Sequence, residues 1–118
     1  IIIKAVRVKD GKTVPEALKK YGKTADGFLF DSYDPVLKGG TGKTFDAKLL
    51  KGAGGRAFIA GGINPDNVHV IIKNISPFGL DVSSGVEKTK GKKSKEKMKK
   101  LFENIKKHSG KIGKKERV

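Results

Sequence analysis

Apolar residues recur at i, i+3, i+4 and i+7 in three stretches: Val14, Ala17, Leu18 and Tyr21; Val68, Ile71, Ile72 and Ile75; Met98, Leu101, Phe102 and Ile105. A stripe at that spacing is one face of an amphipathic helix, so three helices packed by one side are predicted. Each has a start signal. Thr13 with Glu16 makes a capping box, Asn64 followed by Pro65 gives a cap and a first helical residue of fixed φ, and Ser94 with Glu96 suits the positive end of the third helix. A shorter helix is predicted from Phe45 to Lys51 after Thr44, ended by Gly52 and the Gly54-Gly55 pair.

Between the helices lie short runs rich in β-branched and aromatic residues: Ile1 to Val8, Gly27 to Phe30, Arg56 to Ala60, and Leu80 to Ser83. They read as strands. Their nearly continuous apolar character, in place of alternation, is that of a parallel sheet covered by helices. The order is strand then helix four times, in units of roughly 25 residues, the module size of a (β/α)8 barrel. An α/β fold of four βα units over residues 1 to 110 is therefore predicted, with residues 111 to 118 as a basic disordered tail. Pattern alone leaves two architectures open, half of a barrel and a small open doubly wound sheet.

Composition narrows the class. In 118 residues, 36% hydrophobic and 33% charged content is globular, and no apolar run approaches the roughly 20 residues that span a bilayer. Zero cysteines exclude a disulfide framework, a thiolate metal site and a cysteine nucleophile within these residues, and fit a reducing cytoplasm. The net charge of +15 is unevenly spread: residues 88 to 118 hold 14 Lys/Arg against 3 Asp/Glu, giving +11, and residues 1 to 87 hold 13 against 9, giving +4. The only aromatic of the basic segment, Phe102, is expected on the apolar helix face with Met98, Leu101 and Ile105. Bases would then have nothing to stack on, and a solvated lysine face is favoured over nucleic-acid binding.

In both architectures function sits where strands run into the following helices. Asp31 comes directly after Phe28-Leu29-Phe30, and an acid at that rim has no packing role. It is the candidate catalytic carboxylate, expected to lie partly buried against Phe28 or Phe30. Asp26, at the opposite rim, reads as structural. The third strand ends in Gly61-Gly62 ahead of Asn64, the fourth in Ser83-Ser84-Gly85. Glycines admit a ligand close to the main chain, and N–H groups of a turn or helix start attract a phosphate. Tight turns needing glycine only for backbone angles are the alternative. Ser84 to Glu87 is a candidate for the short extra helix of barrel phosphate sites. Gly39-Gly40-Thr41-Gly42-Lys43-Thr44 imitates a P-loop but has Leu37 where glycine is required, and Ser32 to Lys38 separates it from the strand. A loop closing over substrate, with Lys43 as an anion contact, suits it better. His69 and His108 are expected on helix surfaces, with no second ligand at metal spacing.

The strings Gly39 to Asp46, Ala60-Gly61-Gly62-Ile63-Asn64-Pro65 with Asn67-Val68, and Gly79-Leu80-Asp81-Val82-Ser83-Ser84-Gly85-Val86-Glu87 resemble phosphoribosylanthranilate isomerase, in that order. Lys4-Ala5-Val6-Arg7-Val8 is similar to the family's fifth strand, so the resemblance covers residues 1 to 108. It implies strands five to eight of a (β/α)8 barrel, and the Amadori rearrangement of N-(5-phosphoribosyl)anthranilate in tryptophan biosynthesis, without metal or cofactor. It implies Asp31 as general acid and the backbone at Gly61, Gly62, Ser83, Ser84 and Gly85 as the phosphate site. Arg7, Gly40, Gly42 and Lys43 are implied as substrate or loop contacts. The family's general base is a cysteine on the first strand, and a second-strand arginine recognises anthranilate; these 118 residues hold neither string. The resemblance thus implies an inactive lone chain whose partner is an N-terminal half-barrel or a second copy. Another phosphosugar barrel enzyme and a non-catalytic phosphate-binding half-barrel are the rival readings.

Overall fold

The computed structural model describes residues 1–32 and 46–116, with side chains through Ser109. The string from Gly39 to Asp46, with Gly40, Gly42 and Lys43, therefore lies outside the described residues except for Asp46. The four predicted strands form one parallel sheet: β1 (Ile3–Arg7), β2 (Gly27–Asp31), β3 (Ala57–Ala60) and β4 (Gly79–Asp81). Their order is β1-β2-β3-β4, each strand beside the next in sequence. A doubly wound sheet reverses its strand order part-way across, whereas barrel strands are laid down sequentially. The sheet is thus an arc of a barrel, which decides between the two architectures left open by pattern.

Strand residues alternate between two faces, and only one is covered by described helices, α1 (Thr13–Tyr21), α2 (Val68–Ile75) and α3 (Lys95–Glu116). Phe28, Phe30 and Ile59 point to that face and are fully buried with Val14, Leu50, Val68 and Ile71. The two rings of β2 stack with centroids 5.4 Å apart. Burying each contributes about 1.5–3 kcal/mol. The opposite face carries Ile3, Ala5 and Arg7 of β1, Leu29 and Asp31 of β2, and Phe58 of β3, and Ile3 remains 46% exposed. The apolar runs expected to be buried on both sides are covered by the described helices on one.

Asp26 is structural as expected: its Oδ2 accepts from the N–H of Ile2 at 2.6 Å. Arg56 reinforces the same end. Its guanidinium donates to the carbonyls of Gly22, Ala25 and Asp26, tying the α1–β2 loop to the start of β3.

Of the three predicted caps, Ser94 forms at its helix, whereas Asn64 caps the turn over 65–67 and α2 itself starts only at Val68, with Asn67 as its N-cap and no side-chain cap bond. Asn64 Oδ1 accepts from the N–H groups of Asp66 (2.8 Å) and Asn67 (3.0 Å), and Ser94 Oγ accepts from Lys97 N–H at 3.1 Å. The Thr13–Glu16 box does not form. Asp10 Oδ1 takes the N–H groups of Lys12 (2.8 Å) and Thr13 (3.1 Å), and Thr13 Oγ1 faces back to Lys9 and Asp10. An acceptor already in place ahead of the helix removes the need for the box. The predicted short helix is a single 3-10 turn, Ala47–Leu50, capped by Asp46 and followed by Gly52 and Gly54 at φ of 89° and 71°.

Three further features depart from the sequence reading. An antiparallel hairpin, β5 (Glu87–Thr89) with β6 (Lys92–Lys93), precedes α3 and was not predicted, because its lysine-rich strands carry no apolar alternation. The α3 backbone is helical to Glu116, past Gly110, where the sequence placed its end and a disordered tail beyond; glycine lowers helix propensity without breaking a helix. Phe102 is 64% exposed. Leu101 and Ile105 make the packed seam against α2, and Phe102 turns to the flank where no described element stands. His69 and His108 lie on helix surfaces but face each other, with ring centroids 5.4 Å apart.

Candidate phosphate-binding cleft

The carboxyl ends of β2, β3 and β4 and the two loops that follow β3 and β4 enclose a cleft of about 320 Å³. Register explains the meeting. Arg7 pairs with Asp31, Asp31 with Ala60 and Ala60 with Asp81, so these residues stand at one level of the sheet. Asp31 and Asp81 are separated by one strand, roughly 10 Å between backbones, and both line the cleft. Arg7, exposed, lies one strand outward from Asp31 and outside the lining.

Asp31 is exposed, and the expectation that it packs against Phe28 or Phe30 is corrected by the pleat. Neighbouring strand residues point to opposite faces, and both rings lie on the helix side. Asp81 was overlooked in the sequence although it carries the signal that marked Asp31, an acid closing an apolar run.

The loop after β3 is shaped by Gly61 and Gly62, with φ of 95° and 71°, angles that side-chain-bearing residues rarely adopt. Both glycines line the cleft, so backbone angle and ligand access are demanded at the same positions. Asn67 secures this loop, its Nδ2 donating to Gly62 O at 2.8 Å while its Oδ1 accepts from Asn64 N–H at 2.8 Å. Nothing but its place in a quoted string marked Asn67 in the sequence. Ahead of α2, the N–H groups of Asp66 and Asn67 are already taken by Asn64 Oδ1 and that of Val68 by the Asn64 carbonyl.

After β4, Ser84–Val86 forms one 3-10 turn, where the sequence placed a short extra helix. Its opening N–H groups, on Ser84 and Gly85, have no acceptor within the turn. Gly85 is fixed by proximity: a Cβ there would stand 1.7 Å from the carbonyl oxygen of Ile63, so the two loops touch backbone to backbone. Ser83 is held from the hairpin. Lys93 Nζ donates to Ser83 O (3.0 Å), Ser83 Oγ (3.3 Å) and Glu87 Oε2 (2.9 Å). The hydrogen bond from Lys93 also holds the Glu87 carboxyl below its ordinary range. Gly61, Gly62, Ser83, Ser84, Gly85 and Asp31, separated by up to 54 positions in the chain, thus face one volume. Among the described residues no group of three or more His, Cys, Asp or Glu is placed to hold a metal ion.

A family model described as N-(5'-phosphoribosyl)anthranilate (PRA) isomerase matches residues 1–104. The chain belongs to the phosphoribosylanthranilate isomerase family. The isomerase of Crocosphaera subtropica is 44% identical over 108 residues, which are 90% of this chain and 51% of that protein. The isomerase of Aquifex aeolicus is 42% identical over 110 residues, 89% of this chain and 51% of that one. The crystal structure of the Thermotoga maritima isomerase superposes with a TM-score of 0.71 at 38% identity, covering 91% of this chain and 52% of the other. An isomerase crystallised with reduced 1-(o-carboxyphenylamino)-1-deoxyribulose 5-phosphate superposes with a TM-score of 0.61 at 33% identity, over 91% and 49% of the two chains. This isomerase-family chain therefore spans about half the length of the relatives it matches. Among the described residues no helix is long and apolar enough to cross a membrane.

Proposed function

We propose that these residues supply the phosphate-binding half of a phosphoribosylanthranilate isomerase, with Asp31 as its general acid, acting in tryptophan biosynthesis in the cytoplasm. The observation that carries the reading is the cleft, in which an acid at a strand end faces two glycine- and serine-lined loops in a chain of this family. The 5'-phosphate sits against the main chain at Gly61, Gly62, Ser83, Ser84 and Gly85, where N–H groups and hydroxyls donate to its oxygens. Asp31 gives a proton to the furanose ring oxygen, the C1–O bond breaks, and the anthranilate nitrogen and C1 form a protonated Schiff base. A base then removes the proton at C2, leaving an enolamine that becomes the ketose.

The 118 residues contain no cysteine for that base. The base, the anthranilate-binding arginine and the cover over the open sheet face come from an N-terminal half. Arg7, beside Asp31 in register, contacts the anthranilate carboxylate or the closing loop, where Gly40, Gly42 and Lys43 belong.

Isomerase turnover measured with this chain alone, and after mixing with a separately made N-terminal half carrying its cysteine, tests the reading. Turnover only in the mixture, reduced about 10²- to 10⁴-fold by Asp31→Asn, is expected. A folded, associated mixture without turnover contradicts it and favours a phosphate-binding module.

A further inference from the structure

The cleft has carboxylates at two strand ends, Asp31 and Asp81, and no cationic side chain among its described lining residues. Beside these two carboxylates, a nearby positive charge favours an anion beyond what main-chain N–H groups supply. Lys93, on the hairpin outside the lining, is bonded directly to a residue that does line the cleft.

We propose that Lys93 is a positioning residue for the phosphate, acting through Ser83; the inference rests on the phosphate reading of the cleft. An ammonium has three donors, and here they are matched by three acceptors, Glu87 Oε2 at 2.9 Å, Ser83 O at 3.0 Å and Ser83 Oγ at 3.3 Å. Two of the three go to Ser83, ten positions away in sequence. A hairpin staple needs only the first: Glu87 and Lys93 are already direct cross-strand partners. Lys97, donating to Glu87 O at 2.8 Å, braces the same strand from α3.

The bonds to Ser83 have two consequences. A serine hydroxyl carries one proton and two acceptor sites. With Lys93 donating into Oγ, the Ser83 proton is directed elsewhere, and the cleft is the side from which an acceptor arrives. Anchoring the Ser83 carbonyl also fixes the peptide plane that leads into Ser84, whose N–H opens the turn. The Lys93 side chain is 45% exposed and that of Glu87 16%, so the pair is hydrated on one side and shielded on the other. Glu87 keeps the ammonium at the rim and prevents it from entering the cleft as a direct ligand.

The test is binding of inorganic phosphate to the full 118-residue chain, followed by amide shifts, for the wild type, Lys93→Met, Lys93→Arg, Ser83→Ala and the Ser83→Ala/Lys93→Met double variant. Lys93→Met is expected to weaken binding about tenfold, the scale of one charge-assisted hydrogen bond. Lys93→Arg should recover most of that. In the Ser83→Ala background the same Lys93→Met change should cost less than in the wild type, since the hydroxyl is gone and only the carbonyl of residue 83 remains for Lys93 to hold. Thermal midpoints establish that each variant is folded, and Lys93→Gln replaces Lys93→Met if the latter is not. Equal phosphate affinity of Lys93→Met and wild type, or an undiminished loss in the Ser83→Ala background, overturns the inference while leaving the cleft reading intact. A wild-type chain that binds no phosphate at Gly61, Gly62 and Ser83 to Gly85 overturns both.

Discussion

Gly85 and Asp31 represent two kinds of residue at the cleft, one excluded from carrying a side chain and one whose carboxyl the end of β2 brings to the lining. A Cβ at Gly85 would collide with the Ile63 carbonyl, a backbone atom that cannot rotate away. Gly85→Ala must separate the two loops, at about 3 kcal/mol; urea denaturation should report the loss, together with weaker phosphate binding. Asp31 was legible because an acid after an apolar strand has nothing to pack. Asp81 offered the same signal on a strand of three residues, too short for the run to stand out. Phe102 was misread because helical spacing identifies an apolar stripe but not which part of it has a neighbour.

At the scale of elements, the strands and helices were readable because each repeats a period and most carry a local start signal. Ser94 caps α3 and Asn64 caps the turn that leads into α2, and Asn64→Ala should cost about 1 kcal/mol of stability by thermal denaturation. The loss should be accompanied by disorder at Gly62, whose carbonyl is held through Asn67. The cap of α1 was assigned to the wrong residue, and its correction has a pH signature. The hydrogen bond from Lys12 N–H holds the Asp10 carboxyl below its ordinary 3.8. A depressed folded-state value means the stabilisation is complete above the unfolded value and is lost as pH falls through the folded one. Circular dichroism between pH 5 and pH 2 should show α1 fraying below about 3.8, and Asp10→Ala should remove that part of the transition. The hairpin was invisible for lack of apolar alternation, although it carries Lys93.

For the molecule as a whole, the sheet face left uncovered by the described helices is the dominant physical fact. Ile1, Ile2, Ile3, Phe78, Met98 and Phe102 are exposed large hydrophobics, and β1 and β4 are the edges of the described sheet. Exposed apolar surface and unpaired strand edges favour association. Sedimentation should show concentration-dependent self-association of the chain, replaced by a one-to-one assembly with a higher melting temperature on addition of an N-terminal half. The barrel architecture itself was settled by strand order, which no periodicity contains.

The strong positive charge supplies the competing account of anion binding. The described part of the segment that follows the cleft carries lysines at 95, 97, 99, 100, 106 and 107 on α3, with Phe102 exposed among them. Backbone-amide NMR during titration of the chain with reduced 1-(o-carboxyphenylamino)-1-deoxyribulose 5-phosphate separates the two directly. Saturable shifts at Gly61, Gly62, Ser83, Ser84 and Gly85, with Asp31 affected and the α3 lysines silent, are the result this account predicts. Shifts spread along Lys95 to Lys107 that vanish with added salt, and none at the cleft, would contradict it.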